Sequence, residues 1–151
     1  MKNVDLTLHL NVLHHAGVFF DNEKVKTTSG WYDYSVEHLR LMSAISEKLV
    51  IQIGNMWNDQ VLFDSKYSID YICDLLGKGN WDVKKIGVIT NFNDFSYDTY
   101  SVSDVDSIPR IAIWRNLSTG FVEYKHNDRI IAKLPSGNAQ RPIFLCERRG
   151  S

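Results

Sequence analysis

The run from Ile108 to Arg149 constrains the fold most. It divides into Ile108–Arg115, Phe121–His126, Arg129–Leu134 and Pro142–Arg149, pieces rich in β-branched and aromatic residues and separated by Gly, Asn, Asp or Ser. That is the pattern of consecutive antiparallel strands, and no helix-forming segment interrupts it. The run is therefore expected to form the continuous part of a sheet. Leu134-Pro135-Ser136-Gly137-Asn138 is a turn by composition.

Upstream, Val4, Leu6, Leu8, Leu10 and Val12 alternate with Asp5, Thr7, His9 and Asn11, a period of two that predicts a strand with its apolar face on the core. Val25–Thr28 reads as a short return strand. Val36, Leu39, Met42, Ile45 and Leu49 recur at three and four residues and predict a helix, capped by Ser35 or Asp33. Strands follow at 49–53 and 60–63, with Asn58-Asp59 turning between them. Ile69, Ile72, Cys73 and Leu76 form one face of a second helix, capped by Ser65 or Ser68 and stopped at Gly77. A strand spans 83–90, and the polar stretch 91–107 reads as a loop with an edge strand. The order predicts one α+β domain over residues 1–151: a mainly antiparallel sheet with two helices packed on one face. At that length the chain can bury roughly 70% of its unfolded surface.

Apolar residues at 44% and charged residues at 23% exclude a disordered or low-complexity chain. No apolar run reaches the ~18 residues of a membrane span. The N-terminal residues lack a charged-then-apolar export layout, so the expected compartment is the cytoplasm. Cys73 and Cys146 stand apart in apolar settings and read as free buried thiols. Asn116-Leu117-Ser118 matches a glycosylation acceptor but reads as a turn. The net charge of −1 conceals a split. Residues 1–107 carry 9 Lys+Arg against 15 Asp+Glu, and residues 108–151 carry 8 against 3. The split points either to a charged partner or to two halves that neutralise each other.

Three constellations could carry chemistry. If Trp114 pairs with Val122, then Ala112 faces Tyr124 and Arg110 sits across from His126, an Arg–His pair suited to phosphate contact or acid–base work, with Arg115 on the same strand. Glu123-Tyr124-Lys125 resembles the Glu-x-Lys of metal nucleases. In that register, however, the nearest upstream acid, Asp106, lies roughly 23 Å along the strand, too far to share a cation. No metal or other cofactor is expected. His14 and His15 point to opposite faces if their strand continues, and one of them could meet the C-terminal arginines in a ribonuclease-like site.

The readings that remain are contact surfaces. Trp31, Tyr32, Trp57 and Trp81 sit at loop-like positions and could anchor a partner, with Asp94, Asp98, Asp104 and Asp106 offering an acidic patch and Arg129 and Arg141 a basic one. The favoured expectation is a cytoplasmic, non-catalytic protein-binding module of the inhibitor or immunity type, which masks a toxin or other macromolecule. The alternatives are an RNA-cleaving enzyme using His126, His14 or His15 with Arg110 and Arg115, and a nucleic-acid-binding domain using the basic C-terminal strands. Against the last stands a pI near 6.5.

Overall fold

The computed structural model describes residues 4–135 and 141–150. It is a single α+β domain. Ten strands are present among the described residues: β1 Val4–Leu10, β2 Ser46–Gln52, β3 Met56–Trp57, β4 Gln60–Val61, β5 Trp81–Asn91, β6 Ser96–Ser101, β7 Ala112–Arg115, β8 Val122–His126, β9 Arg129–Leu134 and β10 Ile143–Arg148. Two α-helices join them, α1 Thr28–Ile45 and α2 Ser68–Lys78.

The main sheet has the order β1-β2-β10-β5-β6. Its one parallel pair, β1 with β2, is joined through α1. The C-terminal strand lies at the centre, antiparallel to both β2 and β5. The run from Ile108 to Arg149 does hold four strands, but they are divided. β7, β8 and β9 form a separate three-stranded sheet, and β10 leaves them for the main one. Phe144 and Cys146 explain the departure, since both side chains are fully buried in the core. The expected turn from 134 to 138 lies largely outside the described residues.

Phe144 shares a row with Ile51 and Ile86, and Cys146 with Leu49. These residues join Leu39 and Met42 of α1 and Ile69, Ile72, Leu75 and Leu76 of α2 in one buried cluster. Both cysteines are free, Cys146 buried and Cys73 half-buried, and burial pushes the Cys73 thiol up to about 11.

Several local expectations differ from the structure. Helix α1 starts before Ser35, at Thr28, because Thr27 caps it by accepting from the Gly30 amide at 3.0 Å, and Val25–Thr28 forms no strand. Helix α2 runs past Gly77 to Lys78, and the glycine that matters is Gly79. A Cβ there would lie 2.5 Å from Leu39 Cβ, so the helix end reaches α1 only without a side chain. Ser65 is no cap for α2, because its hydroxyl accepts from the Ile113 amide at 2.8 Å and ties β7 to the helical layer.

Strand β1 presents its apolar row to solvent and not to the core. Its pairing sets Thr7 beside Leu49 and His9 beside Ile51, which are core residues, and Leu6 and Leu8 beside Lys48 and Val50. The parity of the register therefore turns the polar residues inward and the apolar row outward. Val4, Leu6, Leu8, Leu10 and Val12 are all exposed, Leu8 by 64%.

Candidate functional site

Two surfaces concentrate unusual features: the outer row of β1 and a cleft at the end of that strand. Asn11 ends the strand with a left-handed φ of 56°, and Leu13–His15 then forms one turn of 3-10 helix. His14 and His15 consequently do not point apart; their ring centroids are 4.1 Å from each other. His15 in turn meets Phe19, ring centroids 4.9 Å apart.

The entry to β10 supplies Arg141. Its Nη1 donates to Asn11 Oδ1 at 2.7 Å and lies 3.3 Å from His14 Nε2. The other ring nitrogen of His14, Nδ1, accepts from the Gly54 amide at 3.2 Å. Gln52 fixes the surroundings: its amide nitrogen donates to the Arg141 carbonyl at 2.8 Å, and its oxygen accepts from Asn11 Nδ2 at 2.7 Å. The Tyr97 hydroxyl donates to the same carbonyl at 3.3 Å. His14, His15, Val18, Phe19, Met56, Asn58, Asp59 and Arg141 line an open cleft of about 310 Å³. Burial first, then the Arg141 charge, hold His14 neutral by lowering its pKa from 6.5 to about 3.

Of the proposed catalytic residues, the structure thus brings only His14 and His15 together, beside Arg141, expected as a contact residue, and leaves the others elsewhere. The β7–β8 register sets Trp114 opposite Glu123 and Ala112 opposite Lys125, one residue away from the expected pairing. Arg110 lies outside β7 and turns to Asp70 on α2, with contacts of 3.1 and 3.2 Å, so it does not face His126. His126 ends β8 opposite Arg129, and Arg115 ends β7 in solvent. The shift also separates Trp114 from Tyr124. Tyr124 is fully buried against Phe92, whereas Trp114 is 62% exposed. Glu123 is enclosed by Lys125 and Lys133, at 3.7 and 3.8 Å.

The aromatic anchors fare differently from expectation. Trp31, Trp57 and Trp81 are buried, and each indole N–H donates to a main-chain carbonyl, those of Leu13, Ala16 and Leu39. They are core residues whose polar tips are satisfied, not contact residues. Tyr32 is half-buried, its hydroxyl bonded to Asp74 and Lys78 at 2.8 Å each. The acidic residues do not form one patch. Asp94 sits at one end of β6, and Asp104 and Asp106 lie beyond the other end, in the 3-10 segment Val102–Ser107. Six residues of strand, roughly 20 Å, separate them. Asp98 lies mid-strand and accepts from Thr90 at 2.6 Å.

The remaining histidines meet beneath β1. His9 and His38 approach at 3.3 Å between Nε2 atoms, and burial lowers the pKa of both, His9 to about 4. His38 stacks on Tyr34, whose hydroxyl bonds Asp21. Three residues that hold Arg141 and His14 in place, Asn11, Gln52 and Gly54, carry no signature that sequence reading detects. Gly54 offers the nearest to one: a Cβ there would lie 2.8 Å from the Arg141 guanidinium carbon, so the glycine makes room for it.

No family model, curated protein or solved structure matches the chain. Among the described residues no helix is long and apolar enough to cross a membrane.

Proposed function

We propose that the chain is a small, non-catalytic protein-binding module of the cytoplasm, of the inhibitor or immunity type that masks a toxin or another macromolecule. The observation that carries this reading is the outer row of β1. Val4, Leu6, Leu8 and Leu10 face solvent, next to half-buried Val50 and Leu145 on the same side of the sheet. Contiguous exposed apolar surface of this kind marks a contact region. β1 is also an edge strand, whose outer amides and carbonyls can accept an extended segment as a further strand. The occupant assigned here is an extended stretch of a partner protein with apolar residues at alternate positions, paired with β1 and covering Leu6 and Leu8. Exposed Lys48 and Lys85 border this surface and suit acidic residues flanking that stretch.

The RNA-directed readings draw less support. Arg110 and Arg149 are engaged by Asp70 and Asp82, and Lys125 and Lys133 by Glu123, so much of the basic C-terminal charge is already compensated. The His14 ring is neutral and hydrogen-bonded at Nδ1, a poor setting for a general base at neutral pH.

The test is affinity capture with the intact chain and with Leu8→Lys, followed by an RNA-turnover assay on the purified protein. The expected result is a stoichiometric partner whose binding shields the β1 amides from hydrogen exchange and which Leu8→Lys loses. Equal capture by both forms would overturn the reading, as would self-association that alone covers β1 or multiple-turnover RNA cleavage.

A further inference from the structure

We propose that the cleft beside Arg141 binds a nucleoside monophosphate, with the phosphate between Arg141 and His14 and the base against Phe19. The inference does not depend on the role assigned to β1, because it rests on two donors, His14 Nε2 and Arg141 Nη1, that face one another at 3.3 Å. The Gly54 amide donates to His14 Nδ1, which places the proton of the neutral ring on Nε2. Nε2 lies 3.3 Å from Arg141 Nη1, and a guanidinium nitrogen can only donate. Two N–H donors thus converge on one point of the cleft wall. An oxyanion set there accepts from both, and its charge compensates a half-buried guanidinium.

Arg141 differs in this from two other arginines of the C-terminal part. Arg110 and Arg149 each meet an aspartate, whereas Arg141 is held by the neutral oxygen of Asn11. Its seat is prepared in advance: Gln52 bonds both Asn11 and the Arg141 carbonyl, and the bare backbone of Gly54 receives the guanidinium. A planar fork of donors presented by a fixed network is the arrangement that recognises phosphate.

The rest of the cleft selects what carries the phosphate. Phe19 is 76% exposed and backed by the His15 ring, which makes it a flat platform for a base. Asn58 and Asp59, in the turn between β3 and β4, also line the cleft. The Asp59 carboxylate can accept hydrogen bonds from ribose hydroxyls, which inorganic phosphate lacks, and this favours a nucleotide. A volume of about 310 Å³ is sufficient for a small ligand.

Calorimetric titration of the full chain with adenosine 5′-monophosphate, ribose 5-phosphate and inorganic phosphate, at low salt and pH 7.5, tests the assignment. The nucleotide should bind at least tenfold more tightly than either of the others. Arg141→Gln should weaken it at least tenfold. Gly54→Ala should do the same, because its methyl group displaces the guanidinium, a flexible side-chain end, and leaves the backbone in place. Phe19→Ala should bring the nucleotide to within threefold of ribose 5-phosphate. If Arg141→Gln fails to fold, Gly54→Ala and Phe19→Ala carry the test. Absence of saturable nucleotide binding, equal affinity for all three ligands, or unchanged affinity in Gly54→Ala would overturn the proposal.

Discussion

Single residues show how differently the same amino acid type is used here. Gly79 and Gly54 both admit a close neighbour, but the neighbours are unlike. At Gly79 an added methyl meets Leu39 Cβ, which cannot move without its helix, so Gly79→Ala should cost about 1–3 kcal/mol in urea unfolding. At Gly54 it meets the far end of Arg141, and Gly54→Ala should change stability by less than about 0.5 kcal/mol. The buried histidines set a second expectation. His9 and His14 titrate near 4 and 3 in the fold, against 6.5 when unfolded. A depressed pKa means that the unfolded chain takes up protons first. The stability is therefore complete above pH 6.5 and declines as the pH falls towards 4, by at most about 1.4 kcal/mol per pH unit for each histidine. Denaturant titrations at pH 7.0, 6.0 and 5.0 check this, and replacing His9 and His14 with Asn should flatten the slope. The tryptophans mark the limit of sequence reading at this scale. Trp31 and Trp57 are spaced like loop anchors, and only the carbonyls that receive their N–H groups, supplied by Leu13 and Ala16, identify them as core.

Elements were more legible than their orientation. The alternation of Val4 to Leu10, the stripe of Val36, Leu39 and Met42, and the four C-terminal strands each correspond to an element of the type expected. What alternation does not encode is which face meets the core, because a strand and its one-residue shift share the same period. For β1 that choice is made by pairing with β2, whose Leu49 and Ile51 are buried. For β7 and β8 it is made by the loop from Asn116 to Phe121. There the Gly120 amide donates to the Asn116 carbonyl at 2.8 Å and the Asn116 amide to the Phe121 carbonyl at 2.9 Å. This register predicts a simple optical result. Trp114 alone of the four tryptophans is exposed, so iodide should quench one component of the fluorescence, and Trp114→Phe should abolish that component. Retention of quenching in the variant would mean that a buried indole had been misplaced.

On the scale of the whole molecule, the first and last parts of the chain are interleaved. β10 enters between β2 and β5, and Arg110–Asp70 and Arg149–Asp82 join the basic end to the acidic body. The charge split visible in the sequence is thus partly spent inside the fold. The α+β class followed from the order of segments, but the cleft did not, because Asn11, His14, Gly54 and Arg141 come together only when β10 takes the central place. The outward apolar row of β1 then stands as the largest departure from what the fold alone requires, and the protein-binding reading depends on it. Its most direct test is the thermal melt of Leu8→Lys beside that of the parent chain. An outward Leu8 predicts melting temperatures within a few degrees of each other, whereas a loss of tens of degrees would place Leu8 in the core and contradict the account.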